Sequence, residues 1–180
     1  MNAMNSHYSE PTRIETVNRH TLAVIVDNEP GALARIAGLF SGRGYNIESL
    51  TVSETEEARH LSRITIVTTG TNAVIDQIKA QLDRLVPVHR VVDLTLQGQA
   101  LERELCLVKV AGTGEHRSEA LRLAAAFGAR TLDATLNSFV FELTGSTEEI
   151  DRFIRLLSVI GLVEISRTGI AAMGRGAEPL

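Results

Sequence analysis

The residues best suited to binding chemistry are Asp27-Asn28-Glu29-Pro30-Gly31-Ala32-Leu33, a polar turn with Pro and Gly at its centre. It joins the apolar, β-branched run His20–Val26 to an amphipathic stretch. A strand entering a helix here leaves the first backbone N–H groups of the helix unpaired beside its positive dipole end, which suits a carboxylate or a phosphate. Pro30 fits a first helical position, because its missing N–H would be unpaired there anyway. Gly31 removes the side chain that would keep a ligand off the backbone. The same seven residues also fit an ordinary strand-to-helix turn with Asn28 or Glu29 as its cap.

No other segment offers a reactive group. Cys106 lies in the apolar run Leu105-Cys106-Leu107-Val108-Lys109-Val110 with no His near it in sequence, the pattern of a buried, inert thiol. His7, His20, His60, His89 and His116 are scattered singly and form no metal-ligand spacing, so no metal site is expected. Gly112-Thr113-Gly114 has Arg117 where a dinucleotide fingerprint needs its third glycine, and reads as a turn. P-loop, nucleophile-elbow and His-Glu-x-x-His patterns are all missing. No catalytic residue is expected, and a small enzyme is the least supported reading.

The elements that must position the turn alternate in a definite order. The strand His20–Asp27 leads to a helix Pro30–Arg43 with Leu33, Ile36, Leu39 and Phe40 on one face, and Gly44 sits where a left-handed helix stop belongs. Strands at about Tyr45–Glu54 and His60–Thr69 flank a charged turn and form a hairpin; a helix at about Asn72–Leu85 and a strand Val88–Leu96 follow. After Gln97-Gly98-Gln99-Ala100 the order repeats. The second round is strand Glu104–Ala111, helix His116–Phe127, strands Arg130–Thr135 and Ser138–Thr144, helix Thr147–Ser158 and strand Leu162–Thr168. Ser146 with Glu149 three residues on makes a capping box at the start of the last helix. The pattern predicts an α+β protein of two tandem ferredoxin-like βαββαβ domains, each an antiparallel sheet with two helices on one face. The expected divisions are a flexible extension over 1–18, a first domain over 19–97, a second over 98–172 and a flexible tail over 173–180.

In such a unit the second strand lies at a sheet edge, and this one carries neither Pro nor Lys to discourage pairing with another chain. Asn46 and Ile47 are expected to begin it. If two copies pair along that edge, Asn46 and Ile47 of one approach Asn28 and Gly31 of the other. Such a shared pocket offers N–H donors for a carboxylate, oxygens of Asn28, Asn46 or Asp27 for an ammonium, and Leu33 and Ile47 for an aliphatic side chain. A small hydrophobic amino acid fits that inventory.

Composition sets the outer bounds. A hydrophobic fraction of 44% is that of a globular chain, and 18 basic against 22 acidic residues, with the basic ones scattered, leave no electrostatic footprint for nucleic acid. The opening residues lack the basic and apolar regions of a signal peptide, and no apolar run reaches the ~20 residues of a membrane span. A cytoplasmic protein with no membrane partner is therefore expected.

Asp27-Asn28-Glu29-Pro30-Gly31-Ala32-Leu33, Gly38-Leu39-Phe40-Ser41, Arg43-Gly44-Tyr45-Asn46-Ile47-Glu48-Ser49-Leu50 and Leu61-Ser62-Arg63-Ile64-Thr65-Ile66 together resemble the regulatory, or small, subunits of acetolactate synthase (acetohydroxyacid synthase). The first half then resembles an ACT domain. The likeness runs on through Arg103-Glu104-Leu105 and Val108-Lys109-Val110 to Arg167-Thr168-Gly169-Ile170-Ala171, and departs from the family in the extension before His20 and in the hairpin turn Glu56-Glu57-Ala58-Arg59-His60.

The resemblance implies a non-catalytic subunit that binds and activates the large catalytic subunit of acetolactate synthase in branched-chain amino acid biosynthesis. It also implies feedback inhibition by valine or another branched-chain amino acid. The cofactors implied, thiamine diphosphate, Mg and FAD, belong to that partner, with none bound by this chain. The effector site carries over onto Asn28, Gly31, Ala32 and Leu33 of one copy and Asn46 and Ile47 of a second copy in an ACT-paired homodimer. The rival reading is a free-standing ACT-type amino-acid sensor that controls a transcription factor or another enzyme.

Overall fold

In a computed structural model that describes residues 16–56, 60–96 and 100–180, the chain forms the same six-element unit twice. The first runs β1 (Asn18–Asp27), α1 (Ala32–Arg43), β2 (Ser49–Glu56), β3 (Leu61–Gly70), α2 (Asn72–Leu82) and β4 (Val88–Asp93). The second runs β5 (Leu101–Ala111), α3 (Gly114–Phe127), β6 (Arg130–Ala134), β7 (Ser138–Gly145), α4 (Thr147–Ser158) and β8 (Leu162–Met173). Each sheet is antiparallel with its first strand inside: the orders are β2-β3-β1-β4 and β6-β7-β5-β8. These are the two ferredoxin-like units of an α+β fold, and β2 is an edge strand. The extension up to residue 15, the turn at 57–59 and the connection at 97–99 lie outside the described residues.

Period-2 alternation explains the first core. Leu22, Val24 and Val26 of β1 and Ile64 and Ile66 of β3 point to one face, where Ile36 and Phe40 of α1 and Ile75, Ile78 and Leu82 of α2 cover them. Each such side chain contributes about 1.5–3 kcal/mol when fully buried. The second core repeats the plan around Val108, Phe141, Ile150 and Phe153, with Phe139 stacked on Phe141 at a centroid distance of 5.3 Å. Cys106 is fully buried in it.

A third cluster joins the units. Ala23 and Val67 lie on the face of the first sheet that turns away from its helices, and they are covered by Leu94, Ile170 and Ala172. The last strand, expected to end at Thr168, continues to Met173 because Ile170–Met173 still pair with Leu101–Glu104 of β5. β5 likewise begins at Leu101 rather than at Glu104. The two strand ends form a ribbon that leaves the second sheet and lies across the first. It turns at a bulge, where the register shifts between Glu104 and Cys106 and Gly169 takes φ +82°. Leu180 packs against the same cluster.

Candidate functional site

The helix mouth differs from expectation in one respect. Pro30 is not the first helical residue: it sits in a turn, Gly31 is the N-cap at φ +89°, and α1 begins at Ala32. The positive φ is the reason. A residue in the left-handed region cannot lie inside a right-handed helix, and glycine adopts it without steric cost. Neither Asn28 nor Glu29 acts as a cap, because α1 has no side-chain cap hydrogen bond at all, whereas Thr71 caps α2 and Ser146 caps α4. The Ala32 N–H reaches the Glu29 carbonyl at 3.3 Å. Among the described residues, the N–H groups of Leu33 and Ala34 have no backbone partner beyond the helix.

The expected site residues fall into two groups. Asn28, Gly31 and Leu33 are exposed together at the mouth, and Leu33 keeps 41% of its surface although it was expected on the core face of α1. Ala32 is buried, so its methyl group belongs to the core and only its backbone borders the mouth. The Asn28 N–H donates to the His60 carbonyl at 2.6 Å, which fixes the turn and leaves the Asn28 side chain exposed. Asp27 is engaged by His89 at 2.6 Å and Glu29 by Arg35 at 2.9 Å, so of the three oxygen acceptors expected for an ammonium Asp27 is already occupied.

Asn46 and Ile47 do not begin β2. They lie in the connection Tyr45–Glu48 that precedes it, because the Tyr45 N–H still bonds to the Phe40 carbonyl at 2.9 Å and β2 pairing starts at Ser49 opposite Val67. Their backbone is nonetheless held: Thr68 Oγ1 donates to the Asn46 carbonyl at 2.6 Å, and Glu48 N–H to the Val67 carbonyl at 2.8 Å. Asn46 is exposed, and Ile47 is half-buried against the first core. Within one chain the two groups stand at opposite ends of α1, separated by its 12 residues, which span about 18 Å.

Elsewhere the chemistry is that of packing. Burial pushes the Cys106 thiol up from its ordinary pKa, away from reactivity. No group of three or more His, Cys, Asp and Glu suited to a metal ion is found among the described residues, and no helix there is long and apolar enough to cross a membrane. A cleft of about 480 Å³ opens between the units, bordered by Arg19, Glu48, Ser49, Arg167 and Gly169. The cleft itself is not legible in the sequence, since contacts between units leave no periodic signal; Glu48-Ser49-Leu50, Glu104 and Arg167-Thr168-Gly169 stand out there only as parts of the family resemblance.

Residues 22–90 match the AHAS small subunit-like ACT domain, and residues 103–176 match the family described as the small subunit of acetolactate synthase. A probable acetolactate synthase small subunit of Archaeoglobus fulgidus is 46% identical over 158 residues, which cover 88% of this chain and 98% of the relative. The chain belongs to the acetolactate synthase small subunit family. The isozyme 3 small subunit of Escherichia coli is 43% identical, covering 88% of this chain and 96% of the relative. The crystal structure of an acetolactate synthase small subunit from Thermotoga maritima superposes with a TM-score of 0.81 at 36% identity, covering 89% of this chain and 99% of that one. As a member of this family the chain is a regulatory component, and a small subunit implies a larger catalytic partner. The matched span 103–176 includes all of β8, whose end crosses onto the ACT sheet.

Proposed function

We propose that two copies pair along their β2 edges and bind valine, or a close branched-chain relative, between Asn28, Gly31, Ala32 and Leu33 of one and Asn46 and Ile47 of the other. The dimer raises the activity of a thiamine-diphosphate-dependent catalytic subunit, which also carries Mg and FAD, and makes it sensitive to feedback inhibition. The chain itself catalyses nothing and holds no cofactor. It works in the cytoplasm, where a lone buried thiol such as Cys106 stays reduced.

The observation that supports this reading most is the uncapped first turn of α1 beside the exposed Leu33. Orphan N–H donors at a helix start suit a carboxylate, and an apolar side chain next to them suits an aliphatic group. Tight binding alone does not inhibit: the effector must favour a regulator–enzyme state of lower activity.

Titration calorimetry of the chain against valine, leucine and isoleucine, followed by inhibition of the reconstituted holoenzyme, tests the proposal. One or two methylenes in an apolar pocket separate such ligands by about 1–3 kcal/mol, so one of the three should bind 10-fold or more tightly than the weakest. Failure of all three to bind overturns the effector site, and capture of some other native partner in place of the catalytic subunit favours the free-standing sensor.

A further inference from the structure

The ribbon that crosses from the second unit is held by the strand that follows the Asn46–Ile47 segment. Ser49 Oγ accepts the Ile170 N–H at 3.0 Å, and Thr51 Oγ1 donates to the Ile170 carbonyl at 2.9 Å. Both polar groups of one distal residue are thus taken by two side chains of β2, in place of any strand pairing between the sheets. Ile170 is itself buried, with its side chain in the cluster that contains Ala23 and Val67.

The contact has no slack. A Cβ on Gly169 would stand 2.7 Å from Ser49 Oγ and 3.1 Å from Thr51 Cγ2. Close-packed contacts of this kind pass on a displacement and do not absorb it. Two residues back along β8, Arg167 is bonded to Glu104 of β5 and Asp151 of α4, each at 2.7 Å, so movement of β8 reaches a strand and a helix of the second unit. The bulge at Thr168–Gly169, where Leu105 N–H bonds to Thr168 Oγ1 at 3.2 Å, lies between the two anchors.

Three side-chain contacts from β1 and β3 also hold the ribbon: Arg19 Nη1 to Glu102 at 3.0 Å, Thr21 Oγ1 to Glu102 at 2.5 Å, and Arg63 to the Ala172 carbonyl at 2.6 Å. Ser49 and Thr51 differ from these in taking both polar groups of a single buried residue, and Ser49 follows Asn46 by three residues, about 10 Å along an extended chain.

We propose that Ser49 and Thr51 are the positioning residues that carry effector occupancy at Asn46–Ile47 into the second unit, by moving Ile170 and with it the Arg167 anchor. The inference rests on the effector site proposed above.

The test uses the full chain and its holoenzyme. The double variant Ser49→Ala/Thr51→Val removes both hydrogen bonds with little change of shape, and Thr51→Val alone serves should the double variant not fold. Binding of valine to the isolated chain should stay within threefold of the parent, while the concentration that half-inhibits the holoenzyme rises 10-fold or more, or maximal inhibition falls by more than half. Gly169→Ala, which drives the ribbon off β2, should do the same. Parental inhibition in these variants, or loss of binding together with inhibition, overturns the inference and leaves the effector site standing. If the parent binds none of the three branched-chain amino acids, the effector site fails and the inference falls with it.

Discussion

Arg167 donates two parallel hydrogen bonds of 2.7 Å to the Glu104 carboxylate, and a third of 2.7 Å to Asp151. The Glu104 side chain is only 5% exposed, so this fork is what permits a charge in the interior of the second unit. The arginine's own pKa is raised, first by the bonds to Glu104 and further by Asp151, against the opposing effect of burial.

Removing the fork should therefore cost more than an average surface ion pair. Arg167→Ala leaves a buried carboxylate without its partner and is expected to destabilise the second unit by about 2–3 kcal/mol. Arg167→Lys should recover only part of that, since a point charge cannot pair with both oxygens. Urea unfolding followed by circular dichroism reads both values; a midpoint unchanged in Arg167→Ala would refute the assignment.

Gly161 tests backbone packing in the same unit. It has φ +137°, and a Cβ there would stand 2.1 Å from the Ala111 carbonyl oxygen of β5. Gly161→Ala should destabilise the protein by about 3 kcal/mol, and differential scanning calorimetry should show the lower melting temperature.

Gly31 tests the helix mouth. A Cβ there meets nothing within 4 Å, so Gly31→Ala should cost only the strain of φ +89°, about 1–2 kcal/mol. Gly31→Asp adds a carboxylate where the effector's own is proposed to sit. Calorimetry should find valine binding lost in Gly31→Asp and the holoenzyme still activated but no longer inhibited. A Gly31→Asp holoenzyme as sensitive as the parent would place the effector elsewhere.

Acid stability tests the cap of α4. The backbone N–H at the helix start, then the Ser146 hydroxyl, hold the exposed Glu148 carboxyl below its ordinary pKa. A carboxylate with a lowered folded pKa lends stability that is present above its unfolded value and lost as pH falls through the folded one. Ser146→Ala should cost about 1 kcal/mol at neutral pH, raise the Glu148 pKa toward the ordinary range, and flatten the loss of stability in acid. NMR titration and unfolding at stepwise lower pH measure the two effects.

Local rules were enough for most of the fold. Alternation in His20–Asp27 and the stripe Ile36, Phe40 require a sheet face and a helix face that cover each other, and the capping box at Ser146 marks its helix start to the residue. Asn28, Gly31 and Leu33 were legible as a helix mouth for the same reason: the signal lies within seven consecutive residues. Even there, the expected helix start at Pro30 came two residues early, because the left-handed backbone at Gly31 keeps both residues in the turn and α1 begins at Ala32.

What the sequence by itself determined is the repeated βαββαβ plan, the family and the residues of the helix mouth, because each depends on residue types at short spacing. Tertiary structure alone decided that β8 runs on to Met173, that its ribbon covers Ala23 and Val67, and that Ser49 and Thr51 grip Ile170. Those contacts join residues about 120 positions apart, 121 for Ser49 and 119 for Thr51. No period or spacing encodes them: they exist only once two finished sheets meet and their unpaired polar groups find partners.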